Sequence, residues 1–233
     1  MQPGSWVNLP EATRAERVAG VFALLCIALA ALILGQPHFS NASLPPRGIG
    51  NSAVAIQVIQ NLGEVDDILS QAPSPDREAM RIKQYIDFGF IASYLGLFLT
   101  LAFLLIFSSP SWGTTVGIAA AICAVGAAVF DVREDFAILR ILDLPLEKTT
   151  APMMNAIRIA SAAKWLLSAV TLALLSTHFL RDPRWARRTI GALLLVGGIL
   201  QAYGLANNVW LVRQGLVLGL ALLGLVVLFF RVR

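Results

Sequence analysis

Six stretches of the chain, at 18–35, 85–107, 114–130, 153–175, 189–206 and 209–230, are apolar over about the length a helix needs to cross a bilayer. A hydrocarbon core of about 30 Å takes roughly 17–25 helical residues. This feature constrains the fold most, because a chain in lipid must satisfy every backbone N–H and C=O internally, which only helices and closed barrels achieve. The period-two alternation of barrel strands is absent, so the reading is all-α, a polytopic membrane six-helix bundle. Composition agrees. With 57% hydrophobic and 14% charged residues over 233 positions, the polar side chains are too few to cover a soluble surface. A disordered chain, a collagen, a disulfide scaffold and an ordinary soluble enzyme are excluded, and a single transmembrane domain over 1–233 is expected.

The net charge of +4 is scattered among apolar stretches instead of forming a basic stripe with interleaved aromatics, so no nucleic-acid partner is expected. It reads as topology. The first stretch follows Arg14 and Arg17 and, at about 17 residues, exceeds the roughly 7–15 of a cleaved signal, so it is taken as a retained helix. Lysine and arginine near span ends set orientation. Arg14, Arg17, Arg181, Arg184, Arg187, Arg188, Arg231 and Arg233 crowd short segments on one side. Arg47, Arg77, Arg81, Lys83, Arg133, Arg140 and Lys148 are spread over longer segments, where acids outnumber them. Both termini are therefore expected in the cytoplasm, with the protein in the cytoplasmic membrane. Between spans one and two, the loop at 36–50 is rich in proline and glycine. Val54, Ile56, Val58, Ile59, Leu62, Val65, Ile68 and Leu69, with Glu64, Asp66 and Asp67, then suggest a broken amphipathic extracytoplasmic segment. Ser74-Pro75-Asp76 has the form of a helix start leading into span two. No internal repeat supports a two-fold transporter architecture.

Ionisable groups within such spans are the informative residues, since each costs about 2.5–3.5 kcal/mol at the centre of an inserted helix and usually faces the bundle. Asp131, Glu134 and Asp135 fall within an arc of about 100° on a helix that Phe136 to Leu142 would continue, with Arg133 and Arg140 opposite. Span four carries Arg158, Ser161, Lys164, Ser168 and Thr171 as a polar stripe. Span two adds Asp87 and, two turns on, Tyr94. Gln201 ends span five, Asn207 and Asn208 form a turn, and Arg213 and Gln214 open span six. Four carboxylates, Asp87, Asp131, Glu134 and Asp135, thus nearly balance three cations, Arg158, Lys164 and Arg213. They are expected to meet near the outer leaflet as one network. That network reads as an ion-paired clamp fixing helix register, as a solute or proton site in which the surplus carboxylate holds a proton, as a catalytic or metal site, or as a group exposed to outer water.

Inventory narrows the chemistry. His38 and His178 fall on opposite sides of the membrane in this topology, and no His-x-x-x-His, Cys-x-x-Cys or Glu-x-x-His pattern occurs. Neither a metal nor another cofactor is expected, although an oxygen-only site for a hard cation at the four carboxylates stays open. Cys26 and Cys123 read as packing residues, and neither a nucleophile elbow nor a phosphate-binding loop is present. Gly113-x-x-x-Gly117 and Gly215-x-x-x-Gly219 suit close helix contact, either internal or in a homodimer. Asn41-Ala42-Ser43 is a formal glycosylation sequon.

The string Asp131-Val132-Arg133-Glu134-Asp135, with Asp87 and Tyr94 before it and Lys164 after it, resembles that of uncharacterised bacterial six-span membrane proteins. These have one span, an amphipathic outer segment and then five spans. No activity comes with the resemblance. The expectation is a non-enzymatic membrane protein whose network of Asp87, Tyr94, Asp131, Glu134, Asp135, Arg158, Lys164, Gln201 and Arg213 handles a small solute or proton, or docks a membrane partner. The rival is an intramembrane enzyme acting on a lipid or isoprenoid head group, with Asp131 or Glu134 as acid or base and Arg158 or Lys164 holding an anion.

Overall fold

The computed structural model describes residues 9–37, 48–108, 111–207 and 209–230. His38, the Asn41-Ala42-Ser43 sequon, Arg47, Asn208, Arg231 and Arg233 lie outside the described residues. Eight α-helices occur among them: α1 (Leu9–Leu34), α2 (Ser52–Ala55), α3 (Leu62–Leu69), α4 (Pro75–Ser108), α5 (Ser111–Leu142), α6 (Ala151–Leu180), α7 (Trp185–Gly204) and α8 (Val209–Phe230). The six long ones form a closed ring in chain order, each packed on the next and α8 packed back on α1. The rim of the ring is apolar. Ile122, Val129, Ile159, Leu216 and Val227 are all more than half exposed, the pattern of a surface that meets acyl chains. The chain is a polytopic helical membrane protein.

Among the described residues five helices, not six, are long and apolar enough to cross a membrane: Arg14–Leu34, Pro75–Phe107, Ser111–Leu142, Ala151–Leu180 and Arg213–Phe230. The expected six-span bundle is corrected to that extent, and α7 is the helix that falls short. Its first turn carries Arg187 and Arg188, its last carries Gln201, and its middle is diluted by glycine. Those glycines serve packing. A Cβ at Gly198 would stand 2.9 Å from the Ala169 carbonyl oxygen, one at Gly191 would stand 2.9 Å from the Leu180 backbone nitrogen, and one at Gly197 would run into Leu218. Here close approach to α6 and α8 replaces the bulky side chains that mark a span in sequence.

Two apolar cores stack along the ring. The larger joins Ala19 and Cys26 of α1, Leu101 of α4, Ala124 of α5, Phe179 of α6, Leu194 of α7 and Leu225 of α8. The smaller lies at the other end, where α2, a 3₁₀ turn at Ile56–Val58 and α3 fold over the bundle and bury Ile56, Ile59, Val65, Ile68 and Leu69 against Met80, Ile138, Ile141 and Ile157. The amphipathic segment is therefore a packed cap. Asn51 accepts a hydrogen bond from the Ala53 N–H to start α2, and Asn61 accepts one from Glu64 to start α3. The Ser74 hydroxyl accepts from the Arg77 N–H at the head of α4. Gly113 and Gly117 are buried within the chain, with Gly117 against Ile106 and the Ala102 carbonyl, so this pair serves internal packing. Gly215 and Gly219 meet nothing within 4 Å.

The end opposite the cap is rich in arginine. Arg187 pairs with Glu16 of α1, Arg184 forms a forked pair with Asp182, and the Arg181 guanidinium lies 3.8 Å from the Trp112 ring centroid. The last turn of α8 packs beside Gly20 through Phe229 and Phe230, so α8 ends beside the start of α1. His178 belongs to the last turn of α6, edge-on to Phe179. In the α6–α7 turn, the hydrogen bonds from Arg184 hold the Asp182 carboxyl down at about 2, against an ordinary 3.8. A carboxyl depressed in the folded state adds stability above its unfolded value and loses it as pH falls through the folded one. The melting temperature of the purified protein is thus expected to drop between about pH 4 and about pH 2. In Asp182→Asn that part of the drop is missing; an unchanged acid profile in the variant would count against the contact.

Candidate functional site

Between the two cores, α4, α5 and α6 bring four carboxylates and one ammonium together. The 32-residue helix α5 runs uninterrupted through the acids, and the spacing of Asp131, Glu134 and Asp135 turns all three inward: they are 6%, 1% and 0% exposed. Arg133 and Arg140, on the opposite side, are exposed. From α6, Lys164 reaches across and donates to Asp131 Oδ1 at 2.6 Å and to Glu134 Oε1 at 2.9 Å. From α4, the Tyr94 hydroxyl donates to Asp131 Oδ2 at 3.0 Å, its ring held between Phe90 and Phe98. Asp131 is thus partnered on both oxygens.

The remaining acids are not. Asp87, Asp131 and Asp135 each place one carboxylate oxygen within 4.8 Å of the others. Both oxygens of Asp135 and Oε2 of Glu134 are buried without a hydrogen-bond partner. Buried polar groups in folded proteins are nearly always satisfied, so three such carboxylate oxygens in one place mark a centre that must take up protons or a ligand. An all-carboxylate oxygen set can share protons among its members or hold a hard cation, and it lacks the nitrogen and sulfur ligands that favour zinc.

Six residues expected from sequence meet here: Asp87, Tyr94, Asp131, Glu134, Asp135 and Lys164. Three do not. Arg158 is exposed on the outer side of α6. Gln201 is buried in α7 with Oε1 unpartnered, and no hydrogen bond among the described residues joins it to the centre. Arg213 is exposed at the start of α8. The near balance of four acids and three cations is corrected to four and one. The cause is helical geometry: steps of three residues carry a stripe about 60° backward each time, so Arg158 and Lys164 stand about 120° apart around α6. Ser161, Lys164 and Thr171 face inward, as expected of the rest of the stripe.

Two buried cations beneath the cap were not expected. Arg77, 2% exposed, donates from Nη1 to the carbonyls of Ile141, Leu142 and Leu144 and from Nε to that of Ser70. Lys83, 1% exposed, donates to Ser52 Oγ and to the Pro37 carbonyl, both at 2.7 Å. Both tie the cap to the bundle. The one available signal is that Lys83 lies one turn before Asp87. Comparison with protein-family models, curated proteins and solved structures finds no match for this chain.

Proposed function

We propose that this membrane protein takes up and releases protons at the buried carboxylate centre, with Lys164 as the fixed countercharge. The observation that carries the reading is Asp135, fully enclosed, with neither oxygen partnered, beside Asp87 and Asp131. Lys164 supplies one positive charge against four carboxylates, so full ionisation leaves three negative charges uncompensated in a low-dielectric interior. Isolated buried carboxylates are far too costly for a fold to carry, and a cluster of like acids balances its charge by binding protons. Tyr94 and Lys164 fix Asp131 in place, while Asp87 and Asp135 lie beside each other where they can share a proton. Both partnered acids, Asp131 and Glu134, are occupied by Lys164, which supports proton handling over acid–base catalysis on a head group. In this reading the arginine-rich end, with the start of α1 and the end of α8, faces the cytoplasm, and the centre and cap lie toward the outer leaflet of the cytoplasmic membrane.

Infrared difference spectra of the purified protein, taken between acid and alkaline pH, test the reading. A protonated-carboxyl band is expected to vanish on alkalinisation, and Asp135→Asn is expected to remove or shift that band while helix content is kept. If no carboxyl band titrates, or if the variant titrates like the parent, the proton reading fails.

A further inference from the structure

Around α6 from Lys164, a groove of about 490 Å³ opens between the cap and the bundle. That volume is within the roughly 300–1,000 Å³ of small-molecule sites. Its polar wall is made by Gln57, Asn155 and Arg158, and its apolar wall by Ile159, Trp165 and Leu205. The polar wall is built: Gln57, 8% exposed, is held by the Trp165 indole N–H donating to its Oε1 at 3.1 Å. Arg158 is exposed there and has neither an ion pair nor a hydrogen bond within the described chain. A second groove, of about 380 Å³, shares Asn155 and Ile159 with the first and adds Arg133 and Phe130. Arg133 is likewise exposed and without a partner within the described chain.

We infer that this double groove binds the phosphate of an anionic lipid, with Arg158 and Arg133 holding the head group and the acyl chain running along Ile159. Charge complementarity selects the ligand: two unpaired guanidiniums, whose forked donors match phosphate oxygens, line adjoining grooves that share the Asn155 amide. The surroundings select a lipid. Ile159 is 67% exposed on the apolar rim, so a ligand reaching Arg158 from the bilayer brings a hydrocarbon chain into contact with it. Long cationic side chains at a membrane interface reach for head groups in any case. What distinguishes a site from that general tendency is the second arginine together with Asn155 and Gln57.

Native mass spectrometry of the full chain in detergent, with phosphatidylglycerol, phosphatidylcholine or glycerol 3-phosphate added, tests the inference. Phosphatidylglycerol is expected to be retained over phosphatidylcholine. R158Q is expected to lower its retention at least about tenfold, the loss of one charge-assisted contact, while R140Q, at an exposed arginine outside both grooves, leaves it unchanged. R158Q should keep the parental melting temperature, because the side chain it removes has no partner in the protein. Equal retention of phosphatidylcholine, or equal effects of R158Q and R140Q, would reduce the groove to ordinary boundary lipid and overturn the inference. Displacement of the lipid by glycerol 3-phosphate would assign the groove to a soluble phosphate and overturn the lipid assignment. Asp135→Asn should leave lipid retention unaltered, so this result and that of the proton reading stand apart.

Discussion

Replacing Lys164 with methionine is expected to cost the fold about 3–5 kcal/mol, the usual penalty for removing one partner of a buried ion pair. Methionine keeps most of the volume and the unbranched stem, so the effect isolates the charge. Among the described residues the ammonium is the cation paired with the carboxylates, and it serves two of them, at 2.6 Å and 2.9 Å. Without it, Asp131 keeps only the Tyr94 hydroxyl and Glu134 loses its one cationic partner. Against a typical total of about 5–15 kcal/mol, that loss brings a marginal bundle close to unfolding. Thermal unfolding in detergent measures it. The triple variant Lys164→Met, Asp131→Asn, Glu134→Gln should recover most of the loss, since the stranded charges are then gone as well. If the single variant melts like the parent, or if the triple is as unstable as the single, Lys164 is not the countercharge.

How much of this centre could be read in the sequence follows from where each group gets its position. The acidic face of α5 was legible because local spacing sets it: Asp131, Glu134, Asp135 and Ile138 share one side of a single helix, and all four are buried. Asp87 and Tyr94, two turns apart on α4, were legible for the same reason. Arg158 was misplaced because a run of three-residue steps drifts around the helix, so its polar neighbours Ser161 and Lys164 face inward while it faces out. The span count erred at α7, where glycine backbones packed against Ala169 and Leu180 do the work of larger side chains. Arg77 and Lys83 were counted only among the cations of an outer segment. Their burial depends on a cap that folds back from another part of the chain, and no local pattern encodes that contact. Composition identified the solvent and periodicity identified the faces; which cations are enclosed is decided by tertiary packing.

The second large effect is expected at Arg77, away from the centre. The last carbonyls of a helix have no intrahelical donor, and at the end of α5 that need falls mostly on one side chain, with the Leu144 N–H also serving Ile141. Arg77 Nη1 serves Ile141 and Leu142 at 3.1 Å and Leu144 at 2.9 Å, while Nε serves Ser70, just past α3, at 3.0 Å. One guanidinium therefore joins the start of α4, the end of α5 and the cap. Arg77→Leu takes the donor from the Leu142, Leu144 and Ser70 carbonyls, while Ile141 keeps the Leu144 N–H, and each unsatisfied group costs about 1–3 kcal/mol. The cost should be local at first. Amide hydrogen exchange in α2, α3 and the last turn of α5 is expected to rise sharply, while α1, α7 and α8 keep the protection of the larger core. Arg77→Lys keeps the charge but has no fork to span α5 and Ser70 together, so it should fall between the two. Loss of protection spread evenly over the bundle, or none in the cap, would show that Arg77 does not hold the cap on. Because the cap also forms the Gln57 wall of the lipid groove, Arg77→Leu is further expected to lower phosphatidylglycerol retention without moving the carboxyl titration.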